Sequence, residues 1–107
     1  MHIVVLITVA NIEEANLISE ALVKQQLCAC VNMVKGLDSI FLWNGSLDRA
    51  DEILLVAKSH DSKFDEIVSC VKAIHSYECP EIICMPIVAG SKEYLEWIDA
   101  SVNIAKK

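Results

Sequence analysis

Apolar and polar positions change their period several times along this chain, and each change predicts an element. His2 to Val9 is a run of mostly apolar, largely β-branched residues, which predicts a strand. Asn11-Ile12-Glu13-Glu14 follows, with Asn11 placed to cap a helix and Glu14 placed to reach back from the third helical position. Ala15, Ile18, Ala21 and Leu22 recur at helical spacing among Glu, Lys and Gln, so a helix with one buried face should run to about Gln26. From Cys28 to Trp43 the pattern favours strand, with a bulge at Gly36, and Asn44-Gly45 is the dipeptide that two-residue hairpin turns prefer. The return limb passes through Glu52-Ile53-Leu54-Leu55-Val56-Ala57-Lys58, and Phe64, Ile67, Val68, Val71 and Ile74 then form one stripe of a second helix. Pro80 and Pro86 bracket a last strand, Glu81 to Val88, after which Gly90-Ser91 caps a final helix carrying Leu95, Ile98 and Val102.

The order strand, helix, long hairpin, helix, strand, helix predicts an α+β fold: a split βαβ sandwich with two helices on one face of an antiparallel sheet. The bare face of such a sheet should be polar, yet IVVLIT, ILLVA and IICMPIV are apolar at almost every position. Something must cover the second face. The sixteen residues from Cys28 to Trp43 would extend about 50 Å, beyond the roughly 30 to 35 Å width of a domain this size, so the hairpin must bend or project. Packing of arms and bare faces between copies of the chain satisfies both features and predicts a homo-oligomer.

Composition narrows the class. At 107 residues, 54% of them hydrophobic, the chain is expected to form a single domain over residues 1–107, too short for a two-domain enzyme. Nine Lys and Arg against fifteen Asp and Glu leave a charge of -6, which argues against nucleic acid as a partner. Charged residues interrupt every apolar run short of the roughly 18 residues of a spanning helix, so no membrane role is expected. The first residues carry no basic region ahead of their apolar stretch, and five cysteines in an odd count without a CxxC pair read as reduced thiols. A cytoplasmic location is the expectation.

Metal-capable groups gather only in His75-Ser76-Tyr77-Glu78-Cys79-Pro80-Glu81. On the plain structural reading His75 sits at a helix C-terminus and the two glutamates are solvated. On the functional reading imidazole, thiolate and carboxylate suit Cu, Zn or Ni, with too few ligands in one loop for a closed site. Catalysis is not expected, because Cys79 lies four positions from His75 without an evident oxyanion hole. The three glycines form no phosphate-binding motif. Lys58, near the end of an apolar strand, would want a carboxylate or an anionic ligand, and Trp43 and Trp97 suit either a pocket or a contact between copies.

LCACVN at 27–32, FLWNG at 41–45, HSYECPEI at 75–82 and GSKEYLEWI at 90–98 together resemble the CutA family of divalent-cation tolerance proteins. HSYECPEI fits that family's H-P-Y-E-x-P-E-I, with Ser76 where proline is usual. The resemblance implies a ferredoxin-like protomer, assembly into a homotrimer through the hairpin arms, and a role in tolerance to copper and other divalent cations with no reaction of its own. His75, Glu81 and Cys79 are the candidate metal ligands. Lys58, Tyr77, Glu78 and Trp43 are candidates for the lining of a cleft between subunits, where a trimeric sensor similar to PII proteins would bind a small ligand or a partner protein. Copper-binding members would carry a Cys and a second His where this chain has Ile7 and Ile74, so the implied metal binding is weak.

Overall fold

The computed structural model describes residues 1–104. Its elements are β1 (His2–Val9), α1 (Ile12–Lys24), β2 (Cys30–Trp43), β3 (Ser46–His60), a short 3-10 turn (Asp61–Lys63), α2 (Phe64–Ile74), β4 (Ile82–Pro86) and α3 (Lys92–Ser101). The four strands form one sheet in the order β2-β3-β1-β4, antiparallel throughout. This is the expected split βαβ sandwich.

Side-chain parity assigns the two faces. Ile3, Val5, Ile7 and Val9 of β1 and Ile53, Leu55 and Ala57 of β3 point to one face and are buried. Ala15, Ile18 and Leu22 of α1 and Ile67 and Val71 of α2 join them in a single core, with Phe64, Cys70 and Ile74 packed at its margin. Cys28 lies inside that core, and burial pushes its thiol from the ordinary 9.0 up to about 12, with the Cys70 and Cys30 thiols adding to the shift. A folded pKa raised above the unfolded one means that stability is complete below about pH 9 and is lost as pH climbs towards 12. Urea midpoints are therefore expected to be flat from pH 7 to 8.5 and to fall beyond it, and Cys28→Ala should remove most of that fall between pH 9 and 10. An equal decline in the variant would contradict this.

The other face is covered only in part. At one end α3 lies across it, with His2 Nε2 2.8 Å from Asp99 Oδ1 and Cys30 Sγ 3.8 Å from the Tyr94 hydroxyl. In the middle Val4 pairs with Met85 and Leu6 with Ile83, and Ile83 and Met85 remain half exposed. The apolar second face expected from the sequence is thus present in the chain.

The hairpin projects. Beyond the β1 partner of Ile53 the limbs β2 and β3 pair only with each other, and the molecule measures 51 × 25 × 22 Å. Gly36, at φ +79°, sits in a register shift between Val34 and Leu37, the expected bulge. Asn44 and Gly45, at φ 51° and 79°, form the two-residue turn between the paired Trp43 and Ser46. Both angles are those of a turn whose twist matches its strands, and glycine adopts them without a Cβ penalty.

Three boundaries differ from expectation. α1 stops at Lys24 because Gln26 enters the left-handed region, at φ 58°, and Leu27 N–H returns to Leu22 O at 2.9 Å. Cys28 N–H also points to Leu22 O, so β2 starts at Cys30 instead of Cys28. β4 is limited to Ile82–Pro86. The cap of α1 is half as expected: Asn11 Oδ1 accepts from Glu14 N–H at 2.9 Å, but the Glu14 side chain does not reach back. It is drawn to the loop that follows α2.

Candidate functional site

That loop, residues 75–81, wraps round the end of the sheet where β1 stops and the hairpin arm begins. Its anchor is the buried side chain of His75. Nε2 donates to Thr8 O at 2.7 Å, which leaves Nδ1 as the acceptor for Tyr77 N–H at 3.1 Å. Glu14 supplies the second anchor: Oε1 accepts from Ser76 N–H at 2.7 Å and Oε2 from Ser76 Oγ at 3.0 Å, while Oε1 lies 3.2 Å from His75 Nδ1. A buried carboxylate needs hydrogen-bond donors, and Ser76 supplies two, which is why Glu14 turns to Ser76 and leaves its own helix end. Proline at position 76 would offer neither donor.

So anchored, the loop aims Tyr77 at the sheet, and its hydroxyl donates to Glu52 Oε2 at 3.0 Å. Burial, then the hydrogen bond to Glu52, pushes the Tyr77 phenol from 10.0 to about 12, so it stays a donor at neutral pH. Between loop, sheet face and arm runs a groove of about 1180 Å³. Its floor comes from Leu6, Leu54, Phe41 and Trp43, and its rim carries Asp38, Asp48, Glu78, Cys79 and Glu81, with Arg49 as a basic side chain in the lining.

The residues singled out from the sequence separate into three groups. Trp43, Tyr77, Glu78, Cys79 and Glu81 line the groove, and Glu78, Cys79 and Glu81 are exposed there. His75 lies behind the loop with both nitrogens engaged, so it would have to release Thr8 O or Tyr77 N–H to ligate a metal. Lys58 is six residues from Glu52 along β3, about 20 Å away, where it hydrogen-bonds Asn32. Among the described residues no three His, Cys, Asp or Glu side chains converge as a preformed metal site. The donors present, one thiol and several carboxylates on a rim, fit a labile cation and not a closed cage.

Sequence reasoning missed two residues. Glu14 was read as a capping residue, and its burial follows only from the packing of α1 beside α2. Glu52 had a legible signal: it shares parity with Leu54, Val56 and Lys58, which places a carboxylate on the apolar second face.

A four-stranded βαββαβ sandwich, with a projecting arm and an acidic groove at the arm's root, defines the class: a ferredoxin-like protein. The chain belongs to the CutA1 divalent ion tolerance protein family, which it matches over residues 3–101. It is 46% identical over 98 residues to the divalent-cation tolerance protein CutA of Thermus thermophilus, covering 92% of this chain and 95% of that one. The solved structure of the Thermus protein superposes with a TM-score of 0.90. The periplasmic divalent cation tolerance protein CutA of Archaeoglobus fulgidus superposes with a TM-score of 0.93 at 41% identity, covering 95% of this chain and 99% of that one. CutA1 from Oryza sativa gives 0.91 at 39% identity, covering 94% and 92%.

Proposed function

We propose that this chain takes part in tolerance to copper or another divalent cation as a homotrimer without a catalytic reaction, holding the cation weakly on the rim of the groove. Cys79 and Glu81 are the first ligands in this reading. The observation that carries it is their joint exposure on one short loop whose backbone is fixed from behind by Glu14 and His75. A thiolate and a carboxylate two residues apart suit copper or zinc, and water or Glu78 completes the shell. The role of His75 is to position the loop. The half-exposed Ile83 and Met85 and the projecting arm support self-association. Five free cysteines support a reducing compartment such as the cytoplasm.

Calorimetric titration with Cu²⁺ at pH 7 tests the reading. Cys79→Ala combined with Glu81→Gln is expected to weaken binding about tenfold or more, as loss of two ligands should. Half-molar salt is expected to leave wild-type binding largely intact, because coordination is not screened as diffuse attraction is. Unchanged affinity in the double variant, or a collapse of wild-type binding in salt, would assign the cations to the general acidity of the surface and overturn the reading.

A further inference from the structure

Two opposite charges on the second sheet face have no counter-ion among the described residues. Glu52 is buried, at 8% exposure, and no Lys, Arg or His among those residues pairs with it. Its side-chain partner is the neutral Tyr77 hydroxyl, which takes one of about four acceptor positions of a carboxylate. Lys58 is half-buried on the same face and forms no ion pair with any described Asp or Glu. Its ammonium donates to Asn32 Oδ1 on the edge strand β2, which uses one of its donors and draws the charge towards the sheet edge. A charge withdrawn from water without a partner is costly, and both costs fall on one face. They cannot cancel within the chain, because six residues of β3 hold the two side chains about 20 Å apart.

We infer that a second copy of the chain completes the Glu52 site with its own Lys58. This rests on the homotrimer proposed above and names a contact that holds it together. A ring of identical copies closes through contacts in which one surface meets a different surface of the next copy, so a carboxylate at one end of the face can meet a lysine from the other end. Between the two charges lie Leu54 and Val56 of β3, with Leu6 opposite Val56 and Ile83 opposite Leu6. Once covered, that apolar strip excludes water and strengthens the pair. Lys35 and Arg49 are exposed to water and carry no comparable cost, which singles out Lys58 as the cation in need of a partner. Tyr77 remains the second donor to Glu52 and ties the loop 75–81 to the contact.

Subunit exchange decides it: the assembled chain in ordinary and isotope-labelled form is mixed, and mixed assemblies are followed in time by native mass spectrometry. Glu52→Gln keeps an acceptor for Tyr77, and Lys58→Gln keeps a donor for Asn32. Each is expected to exchange at least about tenfold faster than wild type, with circular dichroism unchanged. The double variant is expected to exchange no faster than the faster single one, because removing either charge already removes the pair. Effects that multiply in the double variant would give the two residues separate roles and overturn the inference, as would a single variant that exchanges like wild type. Coupling of Glu52→Gln to Lys35→Gln or Arg49→Gln, in place of Lys58→Gln, would assign the contact to another cation and overturn it too. Those outcomes leave the homotrimer standing, whereas a wild-type chain that runs as a single 11.8 kDa species at micromolar concentration removes both.

Discussion

Replacing Glu14 by alanine is expected to destabilise the protein by about 3 kcal/mol, because a buried carboxylate that serves several donors leaves them unpaired when removed. Ser76 N–H and Ser76 Oγ lose their acceptor. In a domain of this size such a loss lowers the thermal midpoint by roughly 10 °C or more. Glu14→Gln keeps one acceptor oxygen and should cost about 1 kcal/mol. Ser76→Ala, which deletes only the Oγ bond, should fall near the glutamine variant. The loop is the first region to respond, so hydrogen exchange at Ser76 and Tyr77 should accelerate more than at Val5 or Leu55. An alanine variant within about 0.5 kcal/mol of wild type, the range of ordinary surface changes, would mean that Glu14 does not hold the loop.

The second large effect concerns the assembled mass. Ile83→Asp together with Met85→Asp is expected to convert the proposed trimer into single chains of 11.8 kDa in light scattering, with the fold retained by circular dichroism. Both side chains are half exposed in the single chain, at 50% and 48%, so a charge there meets water and costs the protomer little. In an assembly that covers this face each charge would be buried without a partner, at a cost of several kcal/mol per ion. Retention of the wild-type mass would place the contact between copies elsewhere. A wild-type chain that is already a monomer at micromolar concentration would end the trimer reading altogether.

Much of the fold was legible because its signals are local. The Phe64–Ile74 stripe became α2, Asn44-Gly45 became the hairpin turn, and Ser91 caps α3 by accepting from Tyr94 N–H at 3.4 Å. The unbroken apolar run along β3 anticipated a second face that the chain leaves partly bare. The errors lie at element ends. Gln26 and Cys28 have no residue-level signature that separates helix closure from continued helix or strand, since that choice depends on which carbonyl their N–H groups can reach.

The candidate site was legible as a list of residues and illegible as an arrangement. The loop 75–81 stands out in the sequence by its density of metal-capable groups, and five of the residues chosen line the groove: Trp43, Tyr77, Glu78, Cys79 and Glu81. Its polar side chains are nevertheless divided by burial into two layers. His75 turns inward to Thr8 and Glu14, sixty-seven and sixty-one positions away in the chain, and becomes an anchor, while Cys79 and Glu81 face solvent. Lys58 was grouped with Tyr77 on chemical grounds, yet the register of β3 sets it at the far end of the sheet. By itself the sequence determined the elements, the layer order, the projecting arm and the donor types available for a cation, because these follow from period, turn residues and composition. Only the tertiary structure decided which donors are free and which are consumed, and that Glu52 lies buried without a cation beside an apolar floor. Those outcomes depend on hydrogen bonds between residues far apart in the chain, which no local pattern encodes.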